Sequence, residues 1–143
     1  MSAYKVIKTS FKVGESLEKA LKDLGIQFEK GQSLKANGAI LKTSWGRTYG
    51  GINQEVAFAI QQDEARRSGI GNMDGVGFRW NGSGYDLVQD HYDENNSHCA
   101  DVMSRLKQRY TYHEVSRQAR ARGYSVRENK MTDGTIRLTL ERR

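Results

Sequence analysis

The chain has 143 residues, 36% hydrophobic and 28% charged, with 15 Gly, no Pro, one Cys and a net charge of +6. That length fits one domain and buries roughly two-thirds of the surface of its unfolded form, so a core can form without disulfides or metal staples. Cys99 alone excludes an internal disulfide and suits a reducing compartment, no apolar run reaches the about 20 residues of a membrane span, and Met1–Phe11 lacks a signal-peptide apolar region. A soluble intracellular protein is expected.

In chain order, Tyr4–Val13 reads as a first strand, rich in β-branched and aromatic residues. Leu17, Ala20, Leu21 and Leu24 follow at helical spacing, with Gly25 placed to end that helix in a left-handed conformation. Ile26 and Phe28 alternate as a second strand, Gly31–Gly38 is a loop, and Ala39–Trp45 can form a third strand. Arg47–Gly51 reads as a flexible turn, and Glu55–Ile60 as a short strand or a buried helical turn, which periodicity cannot separate. Gln61–Gly75 is polar and punctuated by glycine, which predicts an exposed, mobile loop. Residues 46–75 together form a flexible Gly-rich region.

Val76, Phe78 and Trp80 then alternate with Gly77 and Arg79, and Asn81–Gly84 turns the chain into Tyr85–Val88. Near the C-terminus Tyr124, Val126 and Glu128 precede a turn at Asp133-Gly134, after which Ile136, Leu138 and Leu140 face one way. The pattern predicts a single α+β domain over 1–143, in two layers, with an antiparallel sheet and helices on one face. Its order is β-α-β, several strands, two helical pieces and a terminal hairpin.

The two helical pieces come from Ser97–Gly123. Cys99, Val102, Met103, Leu106 and Tyr110 share one helical face, whereas Tyr112, Val115 and Ala119 cluster on nearly the opposite one. One straight helix cannot bury both against one sheet, and Thr111 with Glu114 three residues later has the pattern of a capping box. A break near Tyr110–Tyr112 is therefore expected, with Gly123 ending the second piece.

Charge is laid out basic, acidic, basic. Residues 1–60 carry a net +4, residues 61–103 a net −5 and residues 104–143 a net +7. Such a layout favours an anionic partner or self-association through opposite patches. Arg105, Arg109, His113, Arg117, Arg120 and Arg122 make the densest basic set and are the candidate partner- or anion-binding residues. They suit phosphate contacts, although no RNA- or DNA-binding motif accompanies them. Tyr49, Phe78, Trp80, Tyr85, Tyr110 and Tyr112 could stack on bases, but burial is the default use of an aromatic side chain.

Other chemistry is weakly supported. Asp90–Glu94 with His98 and Cys99 lacks the paired spacing of a zinc site, and its acids suit the start of a helix. Gly69–Gly75 has a G-x-G-x-x-x-G pattern but no following Lys-Ser/Thr, and it precedes a strand rather than a helix. Cys99 and His113 could be nucleophile and base only if the fold brought them together. No metal, cofactor, catalytic residue or small-molecule substrate is indicated. The sequence favours a non-enzymatic accessory protein that binds a macromolecule, most simply a protein, with RNA or DNA binding through residues 104–122 as the alternative.

Asp86-Leu87-Val88, Arg109-Tyr110-Thr111-Tyr112-His113, Gly123-Tyr124-Ser125-Val126 and Asp133–Leu138 resemble, in order and spacing, the hypothetical chloroplast open reading frame thirty-five family. Ile7-Lys8-Thr9, Lys19–Gly25 and Phe78–Gly82 extend the similarity to the first half. The resemblance implies occurrence in cyanobacteria, plastids or other bacteria, hence the cytoplasm or a plastid stroma, and implies no particular activity or cofactor. The chain departs from the family pattern at Thr43–Gly75, which is longer and richer in Gly and charge.

Overall fold

The computed structural model describes residues 4–42 and 53–143. In chain order these form β1 (Tyr4–Lys8), α1 (Gly14–Asp23), β2 (Glu29–Lys30), β3 (Ala39–Leu41), β4 (Gln54–Val56), β5 (Phe58–Ile60), α2 (Gln62–Ser68), β6 (Val76–Trp80), β7 (Tyr85–Asp90), a short turn of 3-10 helix (His91–Asp93), α3 (Ser97–Ala121), β8 (Tyr124–Lys130) and β9 (Ile136–Arg142). The class is α+β. Arg47–Gly51, Tyr49 and the end of the expected strand Ala39–Trp45 lie outside the described residues.

Five strands pair in the order β1-β7-β6-β5-β2, each antiparallel to its neighbour. Alternation along β6 and β7 sends Phe78, Tyr85 and Leu87 toward the helices, where they meet Leu17 and Leu21 of α1 and Val102, Leu106 and Tyr110 of α3. The opposite face receives the β3–β4 ribbon, whose Ala39, Leu41 and Val56 pack on Ala59 and Val88. Gly77 makes this approach feasible, because a Cβ there would sit 2.8 Å from the Val56 side chain. Glu55–Ile60 is thus strand on both sides of Ala57, each half pairing with a different sheet.

The end of α1 follows the expected chemistry. Gly25 has φ of 69°, its N–H donates to the Lys22 carbonyl, and the Ile26 N–H donates back to the Leu21 carbonyl. Those two bonds close the last turn where carbonyls would otherwise lack donors. The start of α1 is unusual, since Val13 offers no side-chain cap. The Tyr110 hydroxyl supplies an acceptor nearby, taking hydrogen bonds from Lys12 N at 2.9 Å and Val13 N at 3.0 Å.

Four expectations need correcting, one being the second strand: Ile26 and Phe28 lie before it, and β2 is confined to Glu29–Lys30. The first strand stops at Lys8 instead of running to Val13, because Thr9 turns its hydroxyl onto the Tyr85 carbonyl and the chain bends toward α1. Gln61–Gly75 is not wholly an exposed loop, for it contains α2 and buries Ala65, Ile70 and Asp74. Its phosphate-loop pattern is also internally satisfied, since the buried Asp93 carboxylate accepts from Asn72 N and Met73 N. The chain's own acid therefore occupies the position where such a loop would hold an external anion.

The largest correction concerns Ser97–Gly123, in which Ser97–Ala121 forms one continuous 25-residue helix without a break at Tyr110–Tyr112. Asn96 starts it by accepting from His98 N and Cys99 N, and Gly123, at φ 85°, ends it. The two apolar faces are reconciled by two separate partners. Cys99, Val102, Leu106 and Tyr110 face the sheet, while Tyr112, Val115 and Ala119 lie along the β8–β9 hairpin. The presumed capping pair is used otherwise, with Thr111 Oγ1 donating to the Lys107 carbonyl and Glu114 bonded to Arg117 and Ser16.

Candidate partner-binding surface

The helix carries the basic residues, but its neighbours divide them. Arg109 is half-buried: its Nε lies 2.9 Å from Asp23 of α1, its Nη1 lies 2.7 Å from Glu128 of β8, and its guanidinium stacks 4.5 Å from the Tyr112 ring. His113 Nε2 meets the same Asp23 oxygen at 2.6 Å. These two residues tie α1, α3 and β8 together. Burial pushes the Asp23 carboxyl up, yet the bonds from His113 and Arg109 outweigh it and hold the group below the ordinary carboxylate range.

Arg117 is exposed and forks onto Glu114 at 2.9 and 3.0 Å. That pairing is the largest influence holding the Glu114 carboxyl below its ordinary value, and a bond from Ser16 adds to it against the opposing effect of burial. Arg105, Arg120 and Arg122 are exposed, and no carboxylate pairs with them among the described residues. The structure therefore divides the six candidates into a structural pair (Arg109 and His113), a locally paired Arg117, and three free cations. Cys99 and His113 lie on different parts of α3, one in the sheet-facing core and one beside Asp23, so they form no nucleophile–base pair.

A further surface comes from the hairpin. Val126 pairs with Leu140, Glu128 with Leu138 and Lys130 with Ile136, so one hairpin face carries an apolar row. A single helix is too narrow to cover it. Clefts of about 310 and 390 Å³ remain between hairpin and helix, the first bordered by Ile136 and Leu138 and the second by Val115, Tyr124 and Leu140. Leu140 keeps 50% of its surface exposed. Around it stand Arg122, Arg142, which lies over the Tyr124 ring at 5.7 Å, and Arg143, whose guanidinium donates to the Arg120 carbonyl at 3.0 Å.

Sequence reasoning missed Leu140, Arg142 and Arg143 as surface elements. The signal was present: a two-stranded hairpin with one apolar row has nothing of its own to bury that row against. Among the described residues, no group of three His, Cys, Asp or Glu side chains is arranged to hold a metal ion, and no helix is long and apolar enough to cross a membrane. Of the proposed stacking aromatics, Phe78, Tyr85 and Tyr110 are buried. Burial also pushes the Tyr85 hydroxyl up to about 12, with Tyr110 adding to the effect.

A family model described as a protein of unknown function, DUF1257, matches residues 20–139. The chain is 31% identical to the uncharacterized protein ycf35 of Guillardia theta over 147 aligned positions, which cover 99% of this chain and 98% of that protein. No solved structure matches significantly.

Proposed function

The chain belongs to the DUF1257 family, and from that premise we propose that it is a non-enzymatic accessory protein whose partner is another protein with an acidic surface. One observation carries this reading: the half-covered row Ile136, Leu138 and Leu140, bordered by Arg122, Arg142 and Arg143. Apolar centres with arginine at the rim are the composition of protein interfaces. The compartment that goes with this reading is the cytoplasm, or the stroma for a plastid-encoded member.

Affinity capture from a native extract at moderate salt, run in parallel with a Leu140→Glu variant, tests it. A partner retained by the wild type, lost by the variant and rebinding after purification supports the reading. Recovery of no stable partner, or of the same proteins on both, overturns it. A sedimentation measurement on the purified chain separates a foreign partner from self-association along the exposed edge of β9.

RNA or DNA binding through Arg105, Arg117, Arg120 and Arg122 is the second reading, favoured by the three cations without a carboxylate. Each neutralised duplex phosphate contributes about −0.9 to the log–log salt slope. Retention that ignores both salt and Arg→Ala changes at those four positions would eliminate it.

A further inference from the structure

Between β1, β7 and the first half of α3 lies an open cleft of about 400 Å³, a size at which small-molecule sites occur. Ile7 and Phe11, Leu87 and Met103 give it apolar walls. No residue of the β8–β9 hairpin lines it, although Ser104 and Lys107 on its rim also border the hairpin cleft that holds Ile136 and Leu138.

Its unusual member is Gln89. In β7 Tyr85, Leu87 and Gln89 alternate onto the face that meets the helices, and the first two join the main core. Gln89 is 5% exposed, lines the cleft, and its carboxamide has no hydrogen-bond partner among the described residues. Its amide atoms still reach the open cleft, so water there, or a ligand that displaces it, supplies their partners. Asp93 in the same wall is satisfied by Asn72 and Met73, which leaves Gln89 as the buried polar side chain of the cleft without a partner among the described residues. Lys107 stands on the rim, exposed and without an ion pair among the described residues.

We propose that this cleft binds a small planar ligand with a cyclic-amide edge and an anionic arm. The ring's adjacent N–H and C=O exchange hydrogen bonds with the Gln89 carboxamide, which carries both donors and an acceptor. The ring faces rest on the apolar walls, and the anionic arm reaches Lys107. A plain hydrocarbon carboxylate fits less well, since its methylenes would lie against Gln89 and leave the amide unpaired.

Uridine 5′-monophosphate, uridine and octanoate are the probes, titrated into the isotopically labelled full chain by NMR. Uridine 5′-monophosphate should shift the Gln89 side-chain amide and the Met103 methyl, on opposite walls of the cleft. Gln89→Leu should weaken both uridine and its monophosphate by about tenfold or more, the loss expected for a buried hydrogen-bonding partner. Lys107→Ala should weaken the monophosphate alone, and octanoate should bind more weakly than the monophosphate and be indifferent to Gln89→Leu. If Gln89→Leu disturbs the fold, the two wild-type reporters decide the matter. Failure of the monophosphate to move them at millimolar concentration, equal binding by a folded Gln89→Leu, or octanoate binding as well as the monophosphate overturns the proposal. None of these results depends on whether a protein partner is captured through Leu140.

Discussion

Tyr110→Phe isolates one hydroxyl that joins two distant parts of the chain. The ring is held by Leu106's neighbours in the core and by Phe11, with ring centroids 4.8 Å apart, and phenylalanine keeps that packing. What disappears is the acceptor for Lys12 N and Val13 N, at the entry to a helix that has no side-chain cap. A buried donor without a partner costs about 1–3 kcal/mol. Because these two are only partly buried, the low end applies to each, giving a loss of about 2 kcal/mol. With an unfolding entropy of about 2.1 cal/mol/K per residue, a chain of this length has about 0.3 kcal/mol/K in total, so Tm should fall by about 7 °C. Thermal unfolding followed by far-UV circular dichroism measures this, with Tyr110→Leu falling further because it also removes the ring. A Tyr110→Phe melt within about 1 °C of wild type would show that the hydroxyl does not secure the start of α1.

Asp23→Asn should cost about 1 kcal/mol at neutral pH, since its partners are partly exposed and screened. A carboxylate held below its ordinary range stabilises above the unfolded value of about 3.9 and stops doing so in acid, so wild type and variant should converge below about pH 4 in urea titrations. Ser116→Ala should raise stability by about 1 kcal/mol in the same assay, because Ser116 Oγ is buried without a hydrogen-bond partner among the described residues and alanine is the better helix former. Tyr85 should keep its proton to pH about 12 in an ultraviolet phenolate titration. The unfolded phenol ionises near 10, so this group's stabilisation is complete below about pH 10 and is lost as pH rises from there through its folded value.

Elements with strong alternation were legible from sequence. Val76–Trp80, the Asn81–Gly84 turn and the Ile136–Glu141 strand carry their partners close in the chain, so local pattern and final structure agree. Gly25 was legible for the same reason, its two closing bonds spanning a few residues. Gln62–Ser68 was not, because a seven-residue helix buries only Ala65 and leaves no periodic stripe. The continuity of Ser97–Ala121 was misread from a correct observation. Opposed apolar faces imply two covers, and the bend inferred from them assumed that only the sheet was available. Within the basic set, the pairing of two members was out of range of the pattern: Arg109 and His113 find their acid in Asp23, 86 and 90 residues away. Spacing along one helix carries no trace of a neighbour recruited from another.

The placement of the β8–β9 hairpin divides the protein's resistance to opening. Most of the core joins the sheet to α1 and the sheet-facing side of α3, whereas the hairpin meets the remainder chiefly along the other side of that helix and through the Arg109–Glu128 bridge. Segments with few buried apolar contacts open at a fraction of the global unfolding free energy. Backbone amides of Tyr124–Arg142 should therefore exchange with deuterium as a group, ahead of those in β5, β6 and β7. An opened hairpin would bare Tyr112, Val115 and Ala119 together with its own leucines, turning a helix buried from two sides into an amphipathic one.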